Sequence, residues 1–286
     1  MISIIGIGNA ASAIADKFSS QKNYKVYKLG SEIEKGTRCY TLEGFNNPEE
    51  YEKSIPKLKT FFRGITDDVQ VFVVGSSMSS NYTLGILEQI KDKSIEVFYI
   101  KPDIELLTGV PKLVENVMYG VLQEYARSGL FKNLTVLSNL EMEKNLQNLS
   151  IKNYYDSLNN TIFSTVHYLN FFTFTEPEIG QMPRPAVTNR IRSVGLLDPT
   201  KIQEKWFFDL DTPREVCYYI CINDEKLETE AGLHKQIVDK LKQKPRNAFR
   251  KVSYGIWETH LQDFGFCVAH TNVVQQQKTL DMLEQE

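Results

Sequence analysis

An α/β fold, with helices wound on both faces of a mainly parallel sheet, is what this sequence predicts, and three stretches carry the prediction. Met1-Ile-Ser-Ile-Ile-Gly6-Ile-Gly8 is an apolar run that breaks into small residues and then into a helical pattern. Val71-Phe-Val-Val-Gly75-Ser-Ser-Met-Ser-Ser-Asn81 repeats that design, and Ile95-Glu-Val-Phe-Tyr-Ile-Lys101-Pro102 follows as a further apolar run. Unbroken Val, Ile and Phe runs fit strands covered on both faces. A strand that runs twice into a small-residue turn is how a doubly wound sheet sets two phosphate-binding loops side by side.

The elements follow in order. Residues 1–8 read as a buried strand, Asn9 to Phe18 as a helix and Tyr24 to Leu29 as a second strand. A Gly- and Asn-containing loop from Gly36 to Pro48 leads to an amphipathic helix from Glu49 to Phe62, interrupted at Pro56. Val69 to Val74 is a central strand, Asn81 to Lys91 a helix and Ile95 to Ile100 a strand. Leu113 to Ser128 is a long helix with Gly129 as a left-handed stop. Leu134 to Leu137 is a short strand that ends at Ser138-Asn139. From Ser150 to Thr173 there is no Gly or Pro, and Tyr154, Leu158, Ile162, Thr165 and Leu169 recur at helical spacing, so one long, largely buried helix is expected.

Beyond it the composition changes. Thr175 to Pro199 holds Pro177, Pro183, Pro185 and Pro199 with Gly180 and Gly195, and reads as a connector with short elements. Val216 to Ile222, a helix from Glu228 to Gln243, Arg250 to Trp257 and Phe264 to Ala269 then make a second, smaller α/β layer. The expected division is a nucleotide-binding domain at 1–149, a core helix at 150–174, a C-terminal domain at 175–274 and a short tail at 275–286.

Bulk properties narrow the function classes. At 286 residues the chain can bury a sizeable core, and 42% hydrophobic with 24% charged residues is an ordinary globular balance. A net charge of −3 offers no global attraction to nucleic acid or anionic lipid. Lys240-Leu-Lys-Gln-Lys-Pro-Arg246 lacks interleaved aromatics and reads as a solvated helix end, so no nucleic-acid partner is expected. No apolar run approaches the roughly 20 residues of a membrane span, and Met1 leads into strand without a basic n-region, so neither a span nor a signal peptide is expected. Cys39, Cys217, Cys221 and Cys267 form no CxxC pair, which fits a reducing cytoplasm. His167, His234, His260 and His270 fall on separate elements with no ligand spacing, so no metal site is expected from them.

Two loops carry the chemistry. Gly6-Ile-Gly8-Asn9-Ala10-Ala11 opens a helix directly after a strand; glycine permits a tight turn, and the exposed N–H groups attract phosphate. In Gly75-Ser76-Ser77-Met-Ser79-Ser80-Asn81 small hydroxyl side chains could wrap a phosphate, or could instead make a Ser-rich helix cap.

In that order the motifs resemble the tubulin/FtsZ superfamily over nearly the whole chain. Gly6-Ile-Gly8-Asn9-Ala-Ala resembles the first phosphate loop, and Asn46-Asn47-Pro48-Glu49 is similar to the Gly-Asn-Pro-Glu loop that senses the γ-phosphate. Val71 to Asn81 resembles the strand and Gly-rich signature loop, with serines in place of glycines. Val97-Phe-Tyr-Ile-Lys101-Pro102 is similar to the following Val-Val-Thr-Lys-Pro strand. Leu134-Thr-Val-Leu-Ser-Asn139 resembles the strand ending in a guanine-contacting Asn, and Asp156 falls where the core helix reads the base. Val252 to Trp257 and Phe264 to Ala269 are similar to paired strands of the C-terminal domain.

The resemblance implies a tubulin/FtsZ-like fold, GTP as ligand (with or without Mg2+), and head-to-tail assembly into a homo-oligomer or filament; the polar tail Gln275–Glu286 is a separate candidate contact for an adaptor. The residues independently allow it: the Asp156 carboxylate can accept from the N1–H and N2–H edge of guanine, and Tyr155 offers a stacking face. The family's hydrolytic loop carries acidic residues at a set spacing. Here Thr175-Glu176-Pro177-Glu178 has two carboxylates at a different spacing, and the ribose-holding Glu-Gly-x-x-Arg is absent after Pro102. Weak or lost hydrolysis is therefore expected, with Glu176 and Glu178 as the candidate catalytic acids. Two alternatives stay open: a nucleotide-free structural scaffold of the same fold, and a nicotinamide-dependent oxidoreductase built on Gly6 to Ala11 with Glu32 as ribose acid.

Overall fold

The computed structural model describes residues 1–146, 149–182, 185–244 and 250–276. Its first half contains β1 (Ile2–Ile7), α1 (Asn9–Asp16), β2 (Tyr24–Gly30), β3 (Cys39–Thr41), α2 (Pro48–Lys53), β4 (Asp68–Val74), α3 (Thr83–Glu88), β5 (Ser94–Lys101), α4 (Gly109–Ser128), β6 (Asn133–Ser138) and α5 (Asn139–Leu146). The second half contains α6 (Tyr154–Thr173), β7 (Ile179–Gln181), β8 (Ile191–Asp198), β9 (Gln203–Trp206), β10 (Glu215–Asn223), α7 (Asp224–Thr229), α8 (Leu233–Lys242), β11 (Lys251–Thr259) and β12 (Phe264–Thr271).

The strands form one sheet in the order β3-β2-β1-β4-β5-β6-β8-β12-β10-β11-β7, with β9 added on β8. From β3 to β6 every pairing is parallel. The chain reverses its direction of travel across the sheet between β1 and β4, and a doubly wound sheet opens its ligand crevice at such a point, beyond the carboxyl ends of the strands. Register pairs Ile7 with Leu29 and Val73, Val74 with Ile100, and Lys101 with Ser138. The turns at Gly8, Gly75, Pro102 and Asn139 therefore stand along one edge.

Side chains alternate across the strands. Ile5, Ile7, Val71, Val73, Val97 and Tyr99 enter one core with Leu122 of α4. Ile4, Phe72, Phe98 and Ile100 enter the other with Ile14 of α1 and Leu158, Ile162 and Val166 of α6. Full burial of such a side chain stabilises by roughly 1.5–3 kcal/mol. The spacing of Leu158, Ile162 and Val166 explains why α6 forms as one 20-residue helix of about 30 Å.

Helix α6 runs from the carboxyl edge of the sheet to its amino edge. Near its far end Asn170 bonds Gln70, early in β4, with Nε2 of Gln70 donating to Asn170 Oδ1 over 2.7 Å and Nδ2 of Asn170 donating back over 2.9 Å. A cleft of about 950 Å3 opens at that amino edge, among Asp68, Glu96, Arg192, Phe172 and Glu176.

Several elements differ from the sequence expectation. The helix expected from Glu49 to Phe62 stops at Lys53, before Pro56, whose missing N–H and preceding-residue restriction bar continuation. Asn81 to Lys91 resolves into a 3-10 turn, Met78–Tyr82, and the short α3. The helix expected from Glu228 to Gln243 is two helices, α7 and α8, divided before Gly232 at φ +83°. The loop from Gly36 contains β3, and the Pro-rich connector runs into β8, a central strand. Strand β8 pairs with β6 in parallel, so the C-terminal strands continue the N-terminal sheet by hydrogen bonds. Of the tail, residues 277–286 lie outside the described residues.

Candidate functional site

The first loop leaves β1 at Ile7. Gly8 adopts φ +94°, a conformation that disfavours any residue with a β-carbon. It caps α1 without a side-chain hydrogen bond, so the first N–H groups of that helix are left uncapped by side chains among the described residues and point into the crevice. No acidic residue sits in that turn. Ala10 and Asn9 are exposed there, whereas Gly6 lies inside β1, where a β-carbon would stand 2.5 Å from Ser12 Cα. Gly6 thus serves close helix–strand packing. Asn9 turns aside: its Nδ2 donates to Ser31 Oγ over 3.2 Å and its Oδ1 accepts from the Glu32 N–H over 3.1 Å.

The second loop meets the first. A β-carbon at Gly8 would stand 2.8 Å from Ser79 Oγ and 3.5 Å from Ser77 Oγ, so the two loops touch only because residue 8 is glycine. Ser76 takes φ +60°, left-handed for a non-glycine residue. Ser77 and Ser79 share a hydroxyl–hydroxyl bond of 3.0 Å, and the Ser80 hydroxyl donates to the Ser77 carbonyl over 2.6 Å. The serines that replace glycine thus lock the turn by bonding one another. Asn47 stands at the start of α2, its N–H donating to Glu50 Oε2 over 3.3 Å. Helix α2 packs beside the turn through the Tyr51–Tyr82 ring pair, 4.8 Å apart.

Beneath the second loop lies a charge that the sequence reading did not single out. Glu115 of α4 is fully buried; it accepts from the Tyr99 hydroxyl over 2.5 Å and from Lys101 Nζ over 3.2 Å. Lys101 also stands 3.6 Å over the Tyr119 ring, a cation–π contact. Burial lowers the pKa of Lys101 and the Glu115 charge opposes that shift. The sequence held a signal: Glu115 interrupts the apolar face Val114, Met118, Tyr119, Leu122 and Ala126.

The other end of the crevice holds Asn139, half-buried at the start of α5, and the first turn of α6. Tyr155 is 71% exposed, with its edge against Tyr154. Asp156 is paired to Lys17, just past α1, and accepts from Asn160 Nδ2 over 3.0 Å. The Lys17 ammonium holds its carboxyl below the usual carboxylate range. Glu176 and Glu178 are exposed at the opposite end of α6, where the Glu178 N–H donates to the Ile256 carbonyl over 2.8 Å. The structure therefore gathers the loops at Gly8 and Gly75 and separates them from Glu176 and Glu178 by the length of α6.

Among the described residues, Asp224, Glu258 and His260 are three groups whose ligating atoms lie within 4.8 Å of one another. They sit on α7, at the end of β11 and just past it, away from both loops.

No protein-family model and no curated protein matches the chain. Solved structures do. A GTPγS-form protofilament of TubZ from Bacillus thuringiensis serovar israelensis superposes with a TM-score of 0.72 at 12% identity, covering 95% of this chain and 86% of that one. CetZ from Methanosaeta thermophila gives 0.62 at 13% identity, with 95% and 86% covered. An empty FtsZ dimer from M. jannaschii gives 0.63 at 11% identity, with 94% and 87% covered. The fold is that of the tubulin/FtsZ superfamily, from β1 through the C-terminal strands.

Proposed function

We propose that this chain binds a guanine nucleotide across the loops at Gly8 and Gly75 and assembles head to tail into filaments, with weak or lost hydrolysis. The observation that carries assembly is the exposure of large apolar side chains at both ends of α6. Around the crevice these are Leu106 (80% exposed), Leu113, Ile151 and Tyr155. At the amino edge they are Met1, Phe171 and Phe174 (70% exposed). Exposed apolar patches of this kind mark interaction surfaces, and patches at opposite ends of one chain suit a heterologous, repeating contact.

Glu176 and Glu178 follow the far end of α6, a helix of about 30 Å whose first turn stands at the crevice, so they reach a nucleotide only on a neighbouring subunit. Their spacing, with Pro177 between, supports slow turnover. The TubZ structures in protofilament and two-stranded filament forms support the assembly reading by likeness of fold.

Calorimetry with GTP, ATP and NAD, with Asp156→Ala as control, tests the ligand, and sedimentation with and without GTP tests assembly. GTP binding that the substitution abolishes is the expected result; NAD binding would overturn it. A nucleotide-free scaffold is the second reading. It draws on Asp156 and Asn9, whose side chains are engaged by Lys17 and by the 31–32 turn. The absence of binding by any of the three ligands would favour it.

A further inference from the structure

Lys17 bears on base recognition. It follows α1 directly, and Asp156 stands in the first turn of α6, so their ion pair ties the end of α1 to the start of α6. Along α1, Lys17 lies about 13 Å from Gly8 at 1.5 Å per residue. That separation is comparable to the span of a nucleotide from its β-phosphate to its base. Tyr155, exposed beside the pair, offers a stacking face.

An ammonium only donates and an ionised carboxylate only accepts. Side by side they present a donor and then an acceptor. The Watson–Crick edge of guanine presents the complement: the 6-oxo group accepts, and N1–H and N2–H donate. Adenine carries a 6-amino donor, which would face the ammonium donor to donor. The pair reaches solvent mainly through Asp156, whose side chain is 61% exposed against 29% for Lys17, and an ion pair open to water on one side contributes little to fold stability.

We propose that Lys17 is a specificity-determining residue of the nucleotide site, its ammonium bonding the 6-oxo group of a purine whose N–H edge Asp156 accepts. This rests on the nucleotide-binding reading above.

The test is the affinity of wild type, Lys17→Met and Lys17→Arg for GTP, ITP and ATP at one ionic strength, with thermal unfolding as a folding control. ITP keeps the 6-oxo group and lacks the 2-amino group. Lys17→Met is expected to weaken GTP and ITP alike by at least about tenfold, the scale of a charged hydrogen bond, and to leave ATP unchanged. Lys17→Arg, which keeps a donor cation, is expected to retain the preference for GTP. Equal losses for GTP and ATP would assign Lys17 to triphosphate charge or to helix packing and overturn the proposal. An unchanged GTP affinity in Lys17→Met would overturn it while leaving the nucleotide site intact. Wild type that binds none of the three would overturn the nucleotide reading and this role together.

Discussion

The carboxylate of Glu115 lies against the α-carbon of Gly75: a β-carbon at residue 75 would stand 1.9 Å from Glu115 Oε2 and 2.6 Å from the Tyr99 hydroxyl. The second loop is thus seated directly on a buried polar cluster, and its position depends on how that cluster packs. Gly75→Ala must push apart α4 and β5 or lift the loop. A cost of about 1–3 kcal/mol, the usual range for overpacking, is expected in urea unfolding, together with weaker nucleotide binding. A midpoint equal to wild type would show that the contact does not constrain the loop.

The Lys101–Glu115 pair has an asymmetric prediction. Removing one partner leaves the other charge buried, and Glu115→Ala is expected to destabilise by about 3–5 kcal/mol. Replacing both, as Lys101→Met with Glu115→Leu, removes the stranded charge and should recover most of that loss. A double variant as unstable as the single one would contradict a simple buried ion pair. Chemical unfolding of all three proteins decides it.

His270 sits in β12 with its Nδ1 buried and without a hydrogen-bond partner among the described residues. Burial, with the Arg192 charge beside it, lowers its pKa to about 3. The folded chain therefore keeps this imidazole neutral, while the unfolded chain protonates it near pH 6.5. Its contribution to stability is intact above pH 6.5 and is lost as pH falls from there toward about 3. The slope for one such proton is at most about 1.4 kcal/mol per pH unit. Unfolding free energies measured from pH 7 to pH 5 should fall less steeply in His270→Gln than in wild type. Parallel curves would rule out His270 as the source.

Glu96 titrates in a lower window. Burial raises its pKa, but Arg192, Lys132 and the Gln70 hydrogen bond together outweigh that and hold it at about 2. The stability it supplies is present above the ordinary carboxylate range and is lost as pH falls toward 2. Arg192→Met should move acid unfolding to higher pH, as followed by circular dichroism; an unmoved transition would count against the pairing.

Head-to-tail assembly through two different faces has a mixing signature. Leu106→Glu should block the crevice end and Phe174→Glu the amino edge, and neither protein alone should elongate with GTP. An equimolar mixture retains one intact pair of faces and should form a capped dimer in sedimentation velocity. Filaments from either variant alone would exclude its face from the contact.

Much of the fold was legible because it is written in short-range pattern. The unbroken apolar runs gave β1, β4 and β5, the helical spacing from Leu158 gave α6, and Gly129 ends α4 at φ +89° as its type demands. Strand β8 escaped because it follows a Pro-rich stretch, and its central place is set by pairing with β6 and β12, partners remote in sequence. Of the candidate site, Gly8 and the Gly75 loop were readable from residue type. Glu115 left a trace as a charge on an apolar helix face; Lys17 left none, since a lysine at a helix end ordinarily reads as solvated.

The sequence by itself determined the strand–turn–helix order, the small residues at both loops and the unbroken run of the core helix to Thr173, because each depends on neighbours within a few residues. Tertiary structure alone decided that Ser79 rests on Gly8, that Glu115 sits beneath Gly75, that Lys17 meets Asp156, and that Glu176 and Glu178 stand a full helix length from the crevice. Those relations arise from the closing of the sheet and the packing of helices across it, where residues far apart in the chain compete for the same space and the same charges.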